Sequence, residues 1–369
     1  MKKILLSLCM LLALTACKDD NKSNQQANAK PVVKIGASFP LTGNMSAIGI
    51  GTQKALVAAI NDVNSNPNNK YYYELLIEND QMEPKLINNV ANKFIYSDKV
   101  DVIVSFFSTA GRVVAPMAVQ NKIINFNFGY SPEVLQSKYN FQNFTTLTAE
   151  NDATIEFLKS KNVTNVDLLY QNIGAADQLL EPLKVLLDQN GISYTVHRFN
   201  KGERDFAMLV SKIKSSESQA VLIYAFEPEE DILTKEIRLQ NVDKIIAYND
   251  GLPMTNNYDI YEGYYNIGSL MTPQKYQKAW GLEGQNAAYT AYLYDTGKII
   301  AEAYENTPAK GKIPTSDEVS AYLHSRKNYS GIVGAYIMDE RGQFHSKGQV
   351  TIVKNGKLIP LDELNTLQQ

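Results

Sequence analysis

The segment VVKIGASFPLTG, from Val32 to Gly43, is the clearest indication of the fold class. Its first eight residues are rich in apolar and β-branched side chains, which predicts a buried strand from Val32 to Phe39. The Pro40-Leu41-Thr42-Gly43 segment that follows is typical of a turn. Alanines and valines at helical spacing then predict a helix from Thr52 to Asn64. A buried strand, a short loop and a helix make the first half of a βαβ unit.

Strand-like and helix-like segments continue to alternate, with short links, as far as Asn249. This alternation predicts an α/β fold with doubly wound parallel sheets, which helices cover on both faces. Ligands of such sheets bind at the carboxyl ends of the strands. The loops of interest therefore follow the predicted strand ends at Phe39, Phe107, Phe128, Tyr170, Phe226 and Asn249.

Further along, the pattern predicts helices over 285–306 and 316–327 and antiparallel strands between Gly331 and Gln349. The chain has 369 residues, 44% of them hydrophobic and 20% charged, which is a globular composition and long enough for two domains. A net charge of −3 argues against a nucleic-acid partner, which requires a basic face. Two cysteines and three histidines offer little material for a metal site, and we expect neither a metal nor a cofactor.

The N-terminus has the pattern of a secretion signal. Two lysines precede an apolar run from Ile4 to Leu14, which is too short to span a membrane. The box Leu14-Thr15-Ala16-Cys17 then resembles a bacterial lipoprotein signal, and the alternative is an ordinary secretory signal with an incidental cysteine. We therefore expect a signal peptide over residues 1–16 and a lipid on Cys17.

Residues 17–31 are polar and contain almost nothing that could be buried, so we expect a flexible tether. The protein is then expected in the cell envelope, outside the cytoplasmic membrane and anchored to it by lipid, on the periplasmic side if the cell is Gram-negative. ATP and nicotinamide cofactors are scarce there, which disfavours most cofactor-dependent enzymes.

The usual catalytic motifs are missing. The sequence contains no G-x-S-x-G, H-E-x-x-H, P-loop or G-x-G-x-x-G motif. None of its three histidines, at positions 197, 324 and 345, falls in a predicted strand-end loop. An extracytoplasmic hydrolase would need a nucleophile beside a base, so the sequence disfavours that alternative and predicts a protein that is not an enzyme.

The strand-end loops instead carry groups that suit a dipolar ligand. Ser108 opens a predicted helix, where backbone N–H groups and a hydroxyl can bind an anion. Gly129 ends the next strand and would let a ligand approach the backbone. Asp250 ends a strand in the second half and suits a cation. The competing interpretations are a helix cap for Ser108 and a turn-stabilising role for Asp250.

Five segments resemble conserved regions of one family. They are, in chain order, Ile35 to Gly43, Asp80 with Glu83-Pro84-Lys85, Gly202 to Phe206 with Leu209-Val210, Tyr289 to Asp295, and Asp339-Glu340-Arg341-Gly342. In this order, from Val32 to Lys354, they are similar to the type I periplasmic solute-binding proteins of ABC importers for branched-chain amino acids and amides, the leucine/isoleucine/valine-binding type.

The resemblance implies two doubly wound lobes, joined by three crossings, that close on the ligand by a hinge motion. It places lobe I at residues 32–148 plus 272–327 and lobe II at residues 149–271 plus 328–369. It also implies that Ser108, Gly129 and Tyr130 hold the ligand carboxylate and that Asp250 holds the ammonium group. Phe226 would cover the ligand, and Phe106 and Phe128 would line its side-chain pocket, unless these aromatic residues are ordinary core.

Three positions depart from the family pattern. Ala175 stands near a frequent tyrosine, Tyr130 replaces a common threonine, and Ile48 stands where an aromatic residue is frequent. These departures leave the ligand open between an amino acid, with an apolar one favoured, and an amide or short peptide-like solute.

We therefore expect a monomeric, lipid-anchored protein that captures a small zwitterion and delivers it to an ABC permease. The alternative is a sensor of the same fold that signals to a receptor or an envelope complex without transport.

Overall fold

The computed structural model of the chain describes residues 30–255 and 257–366. Residues 1–29, which include the expected signal peptide, Cys17 and most of the tether, lie outside this range. The described chain forms two sheets, each packed between helices. No helix in this part of the chain combines the length and the apolar character that crossing a bilayer requires.

The first sheet has eight strands. They are β1 (Val32–Phe39), β2 (Tyr72–Asn79), β3 (Val102–Phe106), β4 (Ile124–Phe128), β5 (Asn140–Asn143), β11 (Asn328–Ser330), β12 (Ala335–Met338) and β13 (Gln343–His345), and they lie in the order β11-β12-β13-β5-β4-β3-β1-β2. The strands β13, β5, β4, β3, β1 and β2 pair in parallel, and the strands at the β11 edge are antiparallel.

The second sheet has seven strands. They are β6 (Asn165–Gln171), β7 (Ser193–Phe199), β8 (Ala220–Tyr224), β9 (Ile245–Asn249), β10 (Tyr265–Gly268), β14 (Gln349–Lys354) and β15 (Lys357–Pro360), in the order β15-β14-β10-β9-β8-β6-β7. Strands β6 to β10 pair in parallel. The hairpin of β14 and β15 adds two antiparallel strands at the β10 edge.

Eleven α-helices are found in the described residues. They are α1 (Ser46–Asn64), α2 (Pro84–Asn92), α3 (Phe107–Asn121), α4 (Leu147–Ser160), α5 (Gly174–Gln189), α6 (Ala207–Ser215), α7 (Glu229–Leu239), α8 (Gln274–Trp280), α9 (Ala291–Asn306), α10 (Ser316–Ser325) and α11 (Leu361–Thr366). The expected α/β fold with two doubly wound lobes is confirmed.

Each sheet repeats one doubly wound order, in which the second strand flanks the first and the third strand lies on the other side of it. In this topology the crevice for a ligand opens between the first and third strands, because their connections leave in opposite directions. In lobe I these strands are β1 and β3, and in lobe II they are β6 and β8. The two crevices supply the walls of the site described below.

The chain passes between the two sheets three times, after β5, after β10 and after β13. The first two crossings agree with the expected positions, near residues 148 and 271. The third lies at residues 346–348, whereas we expected lobe II to resume at residue 328. That boundary was wrong because 328–345 forms the antiparallel edge of the first sheet, where Tyr329, Tyr336 and Phe344 are buried in the core of lobe I.

Helix α1 begins six residues before the predicted start at Thr52. The early residues include Gly49 and Gly51, which weaken a helix prediction because glycine has low helix propensity. Close packing compensates: a β-carbon at Gly51 would lie 1.8 Å from the carbonyl oxygen of Asn286. The first turns of α1 are therefore held by contact with the segment that leads into α9.

The short strands β5 and β10 have no strand-like signal in the sequence. Strand β5 reads Asn-Phe-Gln-Asn, and it is formed because its polar side chains pair inside the sheet. Asn125 Nδ2 donates to Asn140 Oδ1 (3.0 Å), and Gln142 Nε2 donates to Asn127 Oδ1 (2.9 Å). All four residues are buried, so these hydrogen bonds compensate for the loss of water.

Candidate functional site

A cleft of about 560 Å³ lies between the two lobes. Its walls come from the loops that follow β1, β3 and β4 in lobe I and β8 and β9 in lobe II, together with the segment before α9. The volume suits a small organic molecule. Ser108, Gly129, Tyr130, Phe226 and Asp250 all line it, so the structure brings these five predicted residues together.

Ser108 lies in the first turn of α3, where backbone N–H groups have no partner within the helix. Gly129 follows β4 and lies directly beside Ser108: a β-carbon at Gly129 would lie 3.2 Å from the backbone nitrogen of Ser108 and 2.7 Å from Asn127 Oδ1. The absence of a side chain at position 129 therefore leaves the helix N-terminus open to the cleft. An anionic group could be held there by the N–H groups and the Ser108 hydroxyl.

The aromatic wall of lobe I differs from the prediction. Phe106 and Phe128 are 0% and 2% exposed and belong to the core, and neither lines the cleft. Phe107 lines it instead, with its ring stacked on that of Phe128 at 5.5 Å between centroids. Phe107 has a left-handed backbone, with φ at 54°. Its side chain therefore does not take the direction that the regular alternation of a strand would give it. The predicted contacts of Phe106 and Phe128 were therefore wrong.

Tyr130 narrows the cleft from the lobe I side. Its ring lies against Phe144, at 6.1 Å between centroids, and both residues line the cleft. Burial raises the pKa of the Tyr130 hydroxyl to about 12, with a further contribution from the nearby Asp250 carboxyl. The hydroxyl is therefore neutral at physiological pH.

Asp250 directly follows β9, and its side chain lines the cleft on the lobe II side. Its Oδ1 accepts hydrogen bonds from the backbone N–H of Ser269 (3.2 Å) and from the hydroxyl of Tyr289 (3.3 Å). Burial raises the pKa of the Asp250 carboxyl above its ordinary value. A second carboxyl, that of Glu150 in α4, is fully buried and shares a partner with Asp250: the Ser269 hydroxyl donates to Glu150 Oε1 (3.2 Å).

Phe226 and Glu227 continue the lobe II wall after β8. The Phe226 ring packs edge to face on Tyr224, with centroids 5.4 Å apart, and its backbone N–H donates to Gln171 Oε1 (3.2 Å). Glu227 is exposed, and Thr255 donates a hydrogen bond to its Oε1 (2.5 Å). This side of the cleft therefore offers one aromatic face and a carboxylate in addition to Asp250.

The lobes are in contact across the cleft. Within the described residues, side-chain hydrogen bonds cross the cleft from Tyr289 to Asp250 and from Gln285 Nε2 to the Met254 carbonyl. Each joins a lobe I residue to a lobe II residue. The structure therefore shows the lobes drawn together, with the cavity enclosed between them.

The charged side chains that line the cleft are Glu227 and Asp250, and no lysine, arginine or histidine lines it in the described part of the chain. The N–H and hydroxyl groups at the start of α3 are suited to an anion, but they carry no full positive charge. The electrostatics of the cleft therefore favour a ligand with a positively charged group over a plain anion.

Sequence reasoning missed Glu150, Phe107, Tyr224, Glu227 and Tyr289. Glu227 and Tyr224 adjoin predicted strand-end positions, so an inspection of every residue in those loops could have found them. Tyr289 opens a segment that carried the family resemblance, but its spacing indicated only a helix. Glu150 lies on a helix just after the first crossing, and the sequence has no signal that this residue approaches Asp250.

Comparison with known proteins supports the same architecture. The chain matches the family model described as "Periplasmic binding protein" over residues 32–357. It is 22% identical over 342 residues to the Leu/Ile/Val-binding protein homolog 1 of Brucella suis, which covers 86% of this chain and 89% of that protein.

Two solved structures share the fold. One is the branched-chain amino acid substrate-binding protein LivJ of Streptococcus pneumoniae in complex with isoleucine, with a TM-score of 0.73, 18% identity, and coverage of 89% of this chain and 97% of that one. The other is an ABC-transporter solute-binding protein of Rhodopseudomonas palustris in complex with 4-hydroxybenzoate, with a TM-score of 0.74, 16% identity, and coverage of 89% and 95%. The chain thus belongs to the periplasmic binding protein family, whose members are non-enzymatic solute-binding proteins.

Proposed function

We propose that this protein captures a small zwitterionic amino acid between its lobes and delivers it to the permease of an ABC importer. One observation carries the proposal: the cleft has an acidic group, Asp250, on one lobe and the open N-terminus of α3, at Ser108 and Gly129, on the other. An amino acid carries a positive and a negative group a few bonds apart. Each lobe would hold one of them, so that the ligand favours the closed form.

The charge of the cleft separates this proposal from binding of an aromatic acid. A benzoate has a carboxylate and no cationic nitrogen, so it would leave Asp250 and Glu227 without a positive partner. Bringing an uncompensated anion toward two carboxyl groups is unfavourable. An ammonium group satisfies Asp250, and a ligand with both groups uses both walls.

The remaining walls suit an apolar or amide-bearing side chain. They are formed by the rings of Phe107, Phe144 and Phe226 and by the side chains of Met45 and Ile48. When apolar surface of this kind is covered by a ligand, the complex is stabilised by about 25 cal/mol for each Å² of apolar surface removed from water. An apolar amino acid is therefore the ligand class we propose first, and a small amide the second.

Delivery requires that the protein stay close to the membrane, and we propose that a lipid on Cys17 provides this anchor. The support is the order of charge, apolar run and cleavage box in the first seventeen residues. The variant Cys17→Ser is expected to move the protein from the membrane fraction to the aqueous fraction after detergent-free lysis. A variant that still sediments with membranes would contradict the anchor and leave the binding proposal untouched.

The ligand class is tested by a thermal-shift screen of the purified domain against the twenty L-amino acids, simple amides and 4-hydroxybenzoate. Binding to the native state raises the melting temperature, and the shift grows with ligand concentration. We expect a shift with at least one amino acid and none with 4-hydroxybenzoate. The reverse result would contradict the proposal.

Transport is tested by uptake of the best ligand in cells with and without this chain. Uptake that requires the chain supports an importer. Binding without any effect on uptake would instead indicate the sensor.

A further inference from the structure

Glu150 is buried in the lobe II wall of the cleft, near Asp250. Asp250 lines the cleft, whereas Glu150 does not. Glu150 is in the first turn of α4, just after the chain crosses into lobe II, and its side chain is fully buried. Ser269 Oγ donates a hydrogen bond to Glu150 Oε1 (3.2 Å). Oε2 has no N–H or O–H donor within the described residues, and the charge of a second carboxyl raises the pKa of Glu150.

That second carboxyl is Asp250, which lines the cleft. The same residue, Ser269, donates from its backbone N–H to Asp250 Oδ1 and from its hydroxyl to Glu150 Oε1. A β-carbon at Gly268 would lie 2.2 Å from Asp250 Oδ1, so the carboxyl packs tightly onto the end of β10. Ser269 and Gly268 thus hold the two acids in a fixed relation to each other.

The groups that face the pair are all uncharged at physiological pH. They are the hydroxyls of four tyrosines from four parts of the fold: Tyr130 after β4, Tyr224 in β8, Tyr289 before α9 and Tyr292 in α9. Among the described residues, no lysine, arginine or histidine contributes to the pKa of either acid, and no cluster of three or more metal-ligating side chains is found. Two buried carboxyls that are bridged by Ser269 and lack a cation favour a state in which they share one proton.

We propose that Glu150 is a second acid of the ligand site, which shares one proton with Asp250 in the empty protein and releases it when a ligand ammonium group binds. The proton passes to solvent, and the ammonium group replaces it as the positive partner of the two carboxylates. Charge is conserved, because one positive charge enters the wall as another leaves. The inference rests on the proposed function, since it needs a ligand with a cationic nitrogen.

The electrostatics of the buried pair agree with this exchange. Burial raises the pKa of Asp250, and burial together with the Asp250 charge raises the pKa of Glu150 well above its ordinary value. A proton held at neutral pH must be displaced by the ligand, so affinity falls as the solution becomes more acidic. For one proton released, affinity is expected to rise about tenfold for each pH unit over the range in which the pair is protonated.

The test is isothermal titration calorimetry with the amino acid that gives the largest thermal shift among the twenty. Titrations at one pH in phosphate and in Tris, whose ionisation enthalpies differ, report the number of protons released. We expect about one proton for the wild-type protein. For Glu150→Gln we expect none, and an affinity that changes less than twofold between pH 6 and pH 8, because the amide donates permanently to Asp250.

The matched control is Glu230→Gln. Glu230 is also fully buried in lobe II with a pKa raised well above its ordinary value, but it lies behind Gly251 and not beside Asp250. This variant should release the wild-type number of protons. Circular dichroism and melting temperature establish that both variants are folded.

The outcomes separate the two proposals. A wild-type protein that binds an amino acid without releasing a proton overturns the role of Glu150 and leaves the proposed function standing. An unchanged proton count in Glu150→Gln does the same. If none of the twenty amino acids binds, the proposed function fails, and the proton exchange that rests on it fails too.

Discussion

Tyr289 and Asp250 face each other across the cleft, one from each lobe, and both have a left-handed backbone with φ at 58°. The Tyr289 hydroxyl lies 3.3 Å from Asp250 Oδ1. Such a backbone costs about 1 kcal/mol or more for a residue with a side chain, and it persists where the surroundings require it. Here it directs both side chains into the cleft, so the group proposed to hold the ligand also contributes to the contact between the lobes.

The first prediction concerns this contact. Tyr289→Phe removes one hydrogen bond between the lobes and should weaken the closed form by about 1 kcal/mol, which lowers ligand affinity about fivefold. Titration calorimetry measures the affinity. The control is Tyr294→Phe, which removes a hydroxyl bonded to Asp62 within lobe I (2.6 Å) and should leave affinity unchanged. Equal effects of the two variants would show that the hydroxyl of Tyr289 does not stabilise closure.

Asp250→Asn should abolish most of the affinity for an amino acid. Removing one partner of a buried ion pair costs about 2–5 kcal/mol, so the dissociation constant should rise at least thirtyfold. The melting temperature of the empty protein should stay close to that of the wild type, because an amide keeps the shape of a carboxyl whose pKa is already raised by burial. Asp243→Asn, an exposed aspartate just before the same strand β9, is the control. Retained affinity in Asp250→Asn would exclude this residue as the ammonium site.

Gly129→Ala should obstruct the carboxylate end of the site. The new β-carbon would lie 3.2 Å from the Ser108 nitrogen, where it covers the N–H groups that we propose for the ligand. Loss of one hydrogen bond to a charged group costs about 1.5–3 kcal/mol, so affinity should fall tenfold or more. Gly311→Ala serves as the control, since its nearest neighbour is 3.8 Å away. Unaltered binding by Gly129→Ala would place the carboxylate elsewhere.

Asp167 is predicted to contribute to stability and not to binding. Burial alone would raise its pKa, but hydrogen bonds from Ser216, Ser218 and His197 outweigh burial and hold the pKa of Asp167 below its ordinary value. Asp167 is near the amino end of β6, Ser216 and Ser218 precede β8, and His197 lies in the neighbouring β7, so the group is away from the cleft. Asp167→Asn should therefore lower the free energy of unfolding by about 2–4 kcal/mol at pH 7 without changing ligand affinity.

The pH dependence of this effect has a definite sign. A carboxyl whose pKa is lowered by folding stabilises the protein above the unfolded value of about 3.9, and this contribution is lost as the pH falls through the folded value. The difference between wild type and Asp167→Asn in urea unfolding should thus be full at pH 7 and shrink toward pH 3. A difference that grows on acidification would contradict the assignment. Asp177→Asn, which breaks an exposed pair with Arg198, should cost less than about 1 kcal/mol.

The alternation of strands and helices predicts the doubly wound sheets and a site at their strand ends, and the family resemblance implies the two lobes. Ser108, Gly129 and Asp250 were found since each ends a strand or opens a helix at the carboxyl edge of a sheet. The contacts of Phe106 and Phe128 were misplaced because a positive φ at a phenylalanine has no sequence signal. Glu150 was missed because its approach to Asp250 depends on the path of the chain through a crossing.

The boundary at residue 328 shows a second limit. Strands β11 to β13 are short and antiparallel, and their alternation is the same whichever sheet they join. What places them in lobe I is a set of long-range contacts, such as Asp295 of α9, which accepts hydrogen bonds from the Ile332 N–H (2.8 Å) and the Tyr336 hydroxyl (2.7 Å). Pattern alone carries no information about such partners.

A crystal structure of the protein with the amino acid of highest affinity would show which residues hold the two charged ends of the ligand. We predict that the ligand lies between the lobes, with its nitrogen within hydrogen-bonding distance of the Asp250 carboxyl and its carboxylate at the backbone N–H groups of Ser108 and Gly129. A ligand bound outside this cleft, or inside it with its charged ends on other residues, would contradict the account.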